Sequence, residues 1–172
     1  MLTPEQAKWI AHLSDEDKIK IIPFDHTVEE KFQKVKQRIQ KILGKEIPVE
    51  HHGATSLGIS GQDEIDVYIP ISSDKFSSLI NELKNIFGEP KSLYPLERAR
   101  FVTEEDRKHI DVFLINREHY GWNNMIRFEA YLKSNSQALE DYKKLKEYGN
   151  ELSVREYYRR KIEFINEVLS CC

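Results

Sequence analysis

Sulfur, long apolar runs and an excess of one charge are what this 172-residue chain has least of. Its two cysteines are Cys171 and Cys172, adjacent at the C-terminal end. Two neighbouring cysteines build neither a disulfide framework nor a standard zinc site. A frayed, reduced tail is expected there, and the cytoplasm is the expected compartment. No apolar stretch approaches the roughly 18–20 residues needed to span a bilayer. Residues 1–17 carry acids among their apolar positions and show no signal-peptide core, so no membrane partner is expected. Lys and Arg number 26 against 29 Asp and Glu, a formal charge of −3. That balance makes no strong case for nucleic acid, which needs a basic stripe or patch. Internal repeats and low-complexity linkers are also missing.

What is there fits one enzyme-sized domain over residues 1–172, long enough to bury a real core. Charged residues make up 32% and are interspersed, as on a solvated surface. The coarse pattern is α+β with a helical C-terminal third. Residues 3–13 read as a helix with Thr3 as N-cap and Pro4 at its first position, and 18–23 as a strand. Thr27, with Glu30 three residues on, predicts a capping box at the head of a helix to Leu43. Phe32, Val35, Ile39 and Ile42 would share its apolar face, and Gly44 would end it. Residues 47–52 and 65–71 read as strands. A helix capped by Ser73 or Asp74 runs to Phe87 and stops at Gly88 and Pro90. Residues 98–104 and 108–115 read as two strands about a charged turn. Residues 122–146 are helical with a break near Ser134–Ser136, and a last helix spans 153–169.

Three acids in the strand-like segments stand out. Glu64 and Asp66 are two residues apart, so they share one face of a strand. Asp111, within His109-Ile110-Asp111-Val112-Phe113, joins them if its strand pairs alongside and Asp111 points to the same side. Three carboxylates on one face repel each other, and a divalent cation relieves that repulsion. Paired metals bridged by carboxylates serve in-line phosphoryl and nucleotidyl transfer. Hard oxygen ligands point to Mg²⁺ or Mn²⁺. The plainer alternative is a half-exposed strand that alternates acids with apolar residues by chance.

Upstream lies Gly53-Ala54-Thr55-Ser56-Leu57-Gly58, with Glu64 eleven residues after Gly53. A strand ending in such a turn offers backbone N–H groups and hydroxyls to an anion. Gly53, Thr55 and Ser56 are therefore candidates to hold phosphates, against a turn whose glycines only permit positive φ. Arg98, Arg100 and Lys108 flank the third acid and are candidates to neutralise phosphate charge; Arg100 stands out because its segment is apolar. For each of them a solvated face is the simpler alternative. His51 and His52 alternate faces if extended, so at most one of them faces the acids. His109 shares the face of Asp111 and is a candidate supporting partner. Tyr131, Tyr142, Tyr148, Tyr157 and Tyr158 are candidates for a ring-binding pocket or, alternatively, for core packing with polar tips.

Glycine followed by small residues, a gap of about ten residues, acid-x-acid on a strand and a third acid on a later strand resembles the nucleotidyltransferase superfamily. More closely, the chain resembles the GrpB-like family within it. Gly53–Gly58 is similar to a family segment reading Gly-Ser-Thr-Ser-Val-Pro-Gly. Ile19-Lys20-Ile21-Ile22-Pro23-Phe24-Asp25 is similar to the N-terminal strand of that family. Phe128-Glu129-Ala130-Tyr131-Leu132, Tyr142–Lys146, Tyr157–Lys161 and Phe164 are similar to its C-terminal helices. The resemblance covers residues 19–169.

It implies a small mixed β-sheet with helices packed against it, a core at about 19–116 and a helical part at about 120–170. It also implies an enzyme that moves a nucleoside monophosphate, AMP from ATP, to a hydroxyl of a small-molecule acceptor. Glu64, Asp66 and Asp111 would be the metal-binding and catalytic acids. Ala54 stands where the family has its first hydroxyl, and Leu57-Gly58-Ile59 replaces Val-Pro-Gly. Many members lack the first and third acids, which this chain retains. Two alternatives stay open: a catalytically degenerate nucleotide- or phosphate-binding relative, and an interaction module.

Overall fold

A computed structural model describes residues 1–171; Cys172, with its share of the expected cysteine tail, lies outside the described residues. Cys171 is free and exposed. The chain divides into two compact units, one formed by Phe24–Gly58 and Asp63–Asn123, the other by Met1–Pro23, Ile59–Gln62 and the chain from Asn124 on.

Along the sequence the elements are α1 (Pro4–Ala11), α2 (Val28–Leu43), β1 (Glu50–His52), α3 (Gly53–Ser56), β2 (Glu64–Ile71), α4 (Ser73–Phe87), β3 (Ser92–Tyr94), β4 (Arg98–Glu105), β5 (Lys108–Asn116), α5 (Tyr120–Ser134), α6 (Ser136–Tyr148) and α7 (Val154–Ser170). The expected α+β class, mixed sheet and helical C-terminal third are all present.

The first unit holds a five-stranded sheet in the order β1-β2-β5-β4-β3. β2 and β5 run parallel, and the other neighbours are antiparallel. The central strand β5 is buried almost throughout, which explains its near-continuous apolar run. Alternation then sorts the faces. Ile65, Val67, Ile69, Ile110, Val112, Leu114, Ala99 and Phe101 turn to one side, where α2 and α4 cover them with Phe32, Val35, Ile39, Phe76, Leu79 and Leu83. Register puts Glu64, Asp66 and Tyr68 on the other side with His109, Asp111 and Phe113, and with Arg98 and Arg100 of β4.

Two details of α2 differ from expectation. Ile42 is 53% exposed, and Val28 and Leu43 complete the buried stripe instead. The Thr27–Glu30 capping box does not form. Asp25 takes both the backbone N–H and the hydroxyl of Thr27 (2.9 and 2.6 Å), and Glu30 pairs with Lys34. That leaves Thr27 in helical rather than extended conformation. Gly44, at φ +104, ends the helix where a side chain would be strained.

In the second unit, Thr3 caps α1 through a full capping box with Gln6. Trp9 meets Tyr158 of α7 edge-on, and Arg155 ties α7 to Asp15 and to the Leu13 carbonyl. Phe128, Tyr142 and Phe164 pack the helices from Asn124 on. Asn135 breaks the long helical run and caps α6. Of the tyrosine candidates, Tyr142 and Tyr157 are buried, and Tyr148 is exposed. Residues 18–23 form no strand: Lys18 and Ile22 make isolated bridges to Ser153 and Gly61. Among the described residues, no helix is long and apolar enough to cross a membrane.

Candidate active site

The parallel pairing of β2 with β5 builds the site. In register, Glu64 lies beside His109 and Asp66 beside Asp111. Because i and i+2 share a face, these four side chains form two adjacent rows on the sheet side opposite α2 and α4. The three expected acids therefore belong to one face, with His109 as a fourth member. Ligand-capable atoms of Glu64, His109 and Asp111 all lie within 4.8 Å of one another.

Asp111 is only 4% exposed. A carboxylate so buried must be paired, and both partners reach the same oxygen. Arg100 Nη2 donates to Oδ1 at 2.9 Å, and His109 Nε2 donates to it at 3.0 Å. Of the three basic candidates, Arg100 thus meets the acids directly. Arg98 stays on the same face of β4, its guanidinium over the rings of Tyr94 (5.3 Å) and Phe113 (5.8 Å). Its Nε is buried and has no hydrogen-bond partner among the described residues.

Lys108 is placed elsewhere. It is an odd number of residues from Asp111 on β5, so it points to the other side of the sheet. There its buried ammonium pairs with Asp63 and lies 3.8 Å from Asp25. Asp25 also binds Lys31 at 2.8 Å, and that bond and Thr27 hold its carboxyl far below the usual carboxylate range.

The glycine turn adjoins the acids through backbone geometry. Gly53 has φ +76, and a Cβ there would run into the Asp66 carboxylate. Glycine is needed twice at this position, for conformation and for close approach. The two hydroxyl candidates have local partners. Thr55 Oγ1 hydrogen-bonds His51 Nε2 at 2.9 Å, and Ser56 Oγ donates to the Gly53 carbonyl at 2.9 Å. His51 stacks on Phe32 on the α2 side. His52 faces the acids' side beside Asp66 and bonds Glu50 at 3.0 Å. Their alternation follows the sequence expectation.

Beyond the acids lies an aromatic group that the sequence reading missed. Tyr68 stacks on Phe113 at 4.7 Å, and His52 and Trp122 meet Tyr68 at 5.3 and 5.9 Å. The i, i+2 step from Asp66 to Tyr68 and from Asp111 to Phe113 was a usable signal for it.

The family model for GrpB protein matches residues 18–170. The chain belongs to the GrpB family. That family is nucleotidyltransferase-like. Among solved structures, the chain is similar to the conserved protein GrpB from Enterococcus faecalis, with a TM-score of 0.66 and 19% identity over 88% of this chain and 98% of that one. At that identity the likeness establishes the fold. Among curated proteins, it is 27% identical over 78 residues to phosphoenolpyruvate carboxykinase (ATP) of Christiangramia forsetii. The match covers 45% of this chain and 14% of that enzyme, so the chain spans a small part of that relative's length.

Proposed function

We propose that the chain is a metal-dependent nucleotidyltransferase that moves AMP from ATP to a hydroxyl of a small-molecule acceptor. The observation that carries this reading is the parallel register of β2 and β5, which sets Glu64 with His109 and Asp66 with Asp111 on one sheet face. The donor set suits a divalent cation: two carboxylates and an imidazole within 4.8 Å, with a third carboxylate alongside. Glu64, His109 and Asp111 would hold Mg²⁺ or Mn²⁺ with Asp66 beside them. When bound, such an ion neutralises phosphate charge and makes the α-phosphorus a better electrophile.

The chain's own groups supply the rest. Asp111 accepts the proton of the incoming hydroxyl. The hydroxyl oxygen bonds to the α-phosphorus while the bond to the bridging oxygen breaks, and pyrophosphate leaves. Arg98 and Arg100 stand on the same face to take the charge that builds on the phosphates. The turn at Gly53 offers backbone N–H groups beside Asp66.

A second reading, a nucleotide- or phosphate-binding relative without turnover, is favoured by the turn. Ala54 replaces the first hydroxyl, and Thr55 and Ser56 already have partners within the first unit. Calorimetric titration of Mg²⁺-ATP and Mn²⁺-ATP into the wild type and an Asp66→Asn, Asp111→Asn double variant tests both. Metal-dependent binding that the double variant loses, followed by pyrophosphate release with an acceptor, is the expected result. Binding without pyrophosphate release across an acceptor screen would favour the second reading. No nucleotide binding would overturn both.

A further inference from the structure

We infer that Arg100 makes divalent-ion and polyphosphate binding interdependent at this site, by guarding Asp111 until an ion replaces it and then turning to the phosphate. The inference rests on the metal-dependent reading above and assigns one residue a role within it.

Three observations carry it. First, the guanidinium and the candidate ion compete for one atom. Arg100 Nη2 sits 2.9 Å from Asp111 Oδ1, inside the cluster whose ligand atoms lie within 4.8 Å of one another. A cation entering between Glu64, His109 and Asp111 meets a positive charge already held by one of its ligands, and like charges at such range repel strongly. Second, within the Arg100–Asp111 pair it is the guanidinium that can move. The Arg100 side chain is 37% exposed, whereas that of Asp111 is 6% exposed, and Asp111 is its only carboxylate partner among the described residues. Once displaced, the guanidinium stays on the site face with all its donors open. Third, a second guanidinium waits beside it. Arg98, two residues away on the same face, rests on Tyr94 and Phe113 and has no carboxylate partner among the described residues. Arg98 and a released Arg100 together make a planar, multidentate seat for phosphate oxygens. An ion alone must break the Arg100–Asp111 pair without compensation. An ion arriving with a polyphosphate gives the guanidinium a new anion.

Mn²⁺ binding, read by electron paramagnetic resonance with and without inorganic tripolyphosphate, tests this in the wild type, Arg100→Gln and Arg100→Lys. Removing the guard should tighten Mn²⁺ binding in the absence of anion by about fivefold, the scale of a partly exposed ion pair. Tripolyphosphate should strengthen Mn²⁺ binding in the wild type, much less in Arg100→Gln, and again in Arg100→Lys. Tighter binding after loss of a side chain is a change that a merely structural role would not produce. Thermal melts establish that the variants fold. Independently of any variant, the Arg100 Nε–H resonance of the wild type should shift when Mg²⁺ alone is added.

Equal or weaker Mn²⁺ binding by folded Arg100→Gln, or an unmoved Arg100 resonance at saturating Mg²⁺, overturns the inference. Because tripolyphosphate carries no nucleoside, the two readings fail separately. Coupled Mn²⁺ binding without AMP transfer sinks the nucleotidyl reading alone, and AMP transfer without coupling sinks the role of Arg100 alone. No Mn²⁺ binding by any form sinks both.

Discussion

Asp66 holds its carboxylate over the Cα of Gly53, in the space that a side chain at position 53 would need. The relationship joins the glycine turn to the acidic strand. Gly53→Ala therefore meets two penalties. A left-handed φ costs a non-glycine residue about 1–2 kcal/mol, which should lower Tm by about 3–6 °C. The added methyl also pushes Asp66 away. Metal-dependent nucleotide binding should fall by more than the stability loss explains. A double-variant cycle with Asp66→Gly checks the cause. If the two substitutions are additive in binding, the Gly53–Asp66 contact is not what positions the acid.

His109 brings a nitrogen donor to a cluster that is otherwise carboxylate oxygen. Mg²⁺ prefers oxygen ligands and gives up its water reluctantly, whereas Mn²⁺ takes imidazole more readily. The wild type should bind Mn²⁺ more tightly than Mg²⁺. His109→Ala should weaken Mn²⁺ by about tenfold and Mg²⁺ by less, so that the preference shrinks. Calorimetric titration of both ions into both proteins gives the comparison. An unchanged Mn²⁺/Mg²⁺ ratio would exclude His109 from the site.

Much of the site was legible because strand alternation needs only the sequence. Glu64 and Asp66 share a face by parity, and so do His109 and Asp111. The same parity places Lys108, three residues before Asp111, on the opposite side. Nearness in sequence had suggested a flanking role for it that the strand geometry does not support. What parity cannot supply is register. Glu64 opposite His109 and Asp66 opposite Asp111 follow from how the chain between β2 and β5 brings the strands together. Other misreadings have long-range causes. Residues 18–23 look like a strand, yet their bridges go to Ser153 and Gly61. Thr27 looks like the head of a capping box, yet Asp25 takes its hydroxyl. β3 is only three residues long and mostly exposed, too short to announce itself.

Lys108 supplies a test of that geometry. Its buried ammonium pairs with Asp63, and Asp25 lies nearby. Lys108→Met should lower stability by about 1 kcal/mol, since Asp63 loses its cation but is 54% exposed, while Asp25 keeps Lys31. Mn²⁺ affinity should stay within about twofold of wild type, because among the described residues the ion pairs of Lys108 go to Asp63 and Asp25 and not to the other face. Thermal melts and Mn²⁺ titration on the same sample separate the two. A large loss of Mn²⁺ affinity at unchanged Tm would return Lys108 to the site.

Glu156 gives the clearest dependence on pH. Hydrogen bonds from Arg159, then from Arg160, hold its carboxyl down to about 2, against an ordinary value of 4.5. Arg159 donates at 2.8 Å to each carboxylate oxygen, and Arg160 Nε donates at 2.6 Å. A folded-state value below the unfolded one means that the unfolded chain takes up the proton first as pH falls. The stabilisation is complete above the ordinary value and is lost as pH drops towards 2. Both arginines are more than one-third exposed, so solvent screens the pair and its contribution stays within about 1 kcal/mol. The negative charge also lies in the first turn of α7, where it favours the helix dipole. The Glu156 side-chain NMR signal should titrate with a midpoint clearly below 4.5, the ordinary value. Wild type should melt above Glu156→Gln at pH 6. The gap should narrow between pH 4.5 and 2, and also in high salt, which screens the same charges. A midpoint near 4.5, or a gap as wide at pH 2 as at pH 6, would mean that the arginines do not hold the carboxylate in solution.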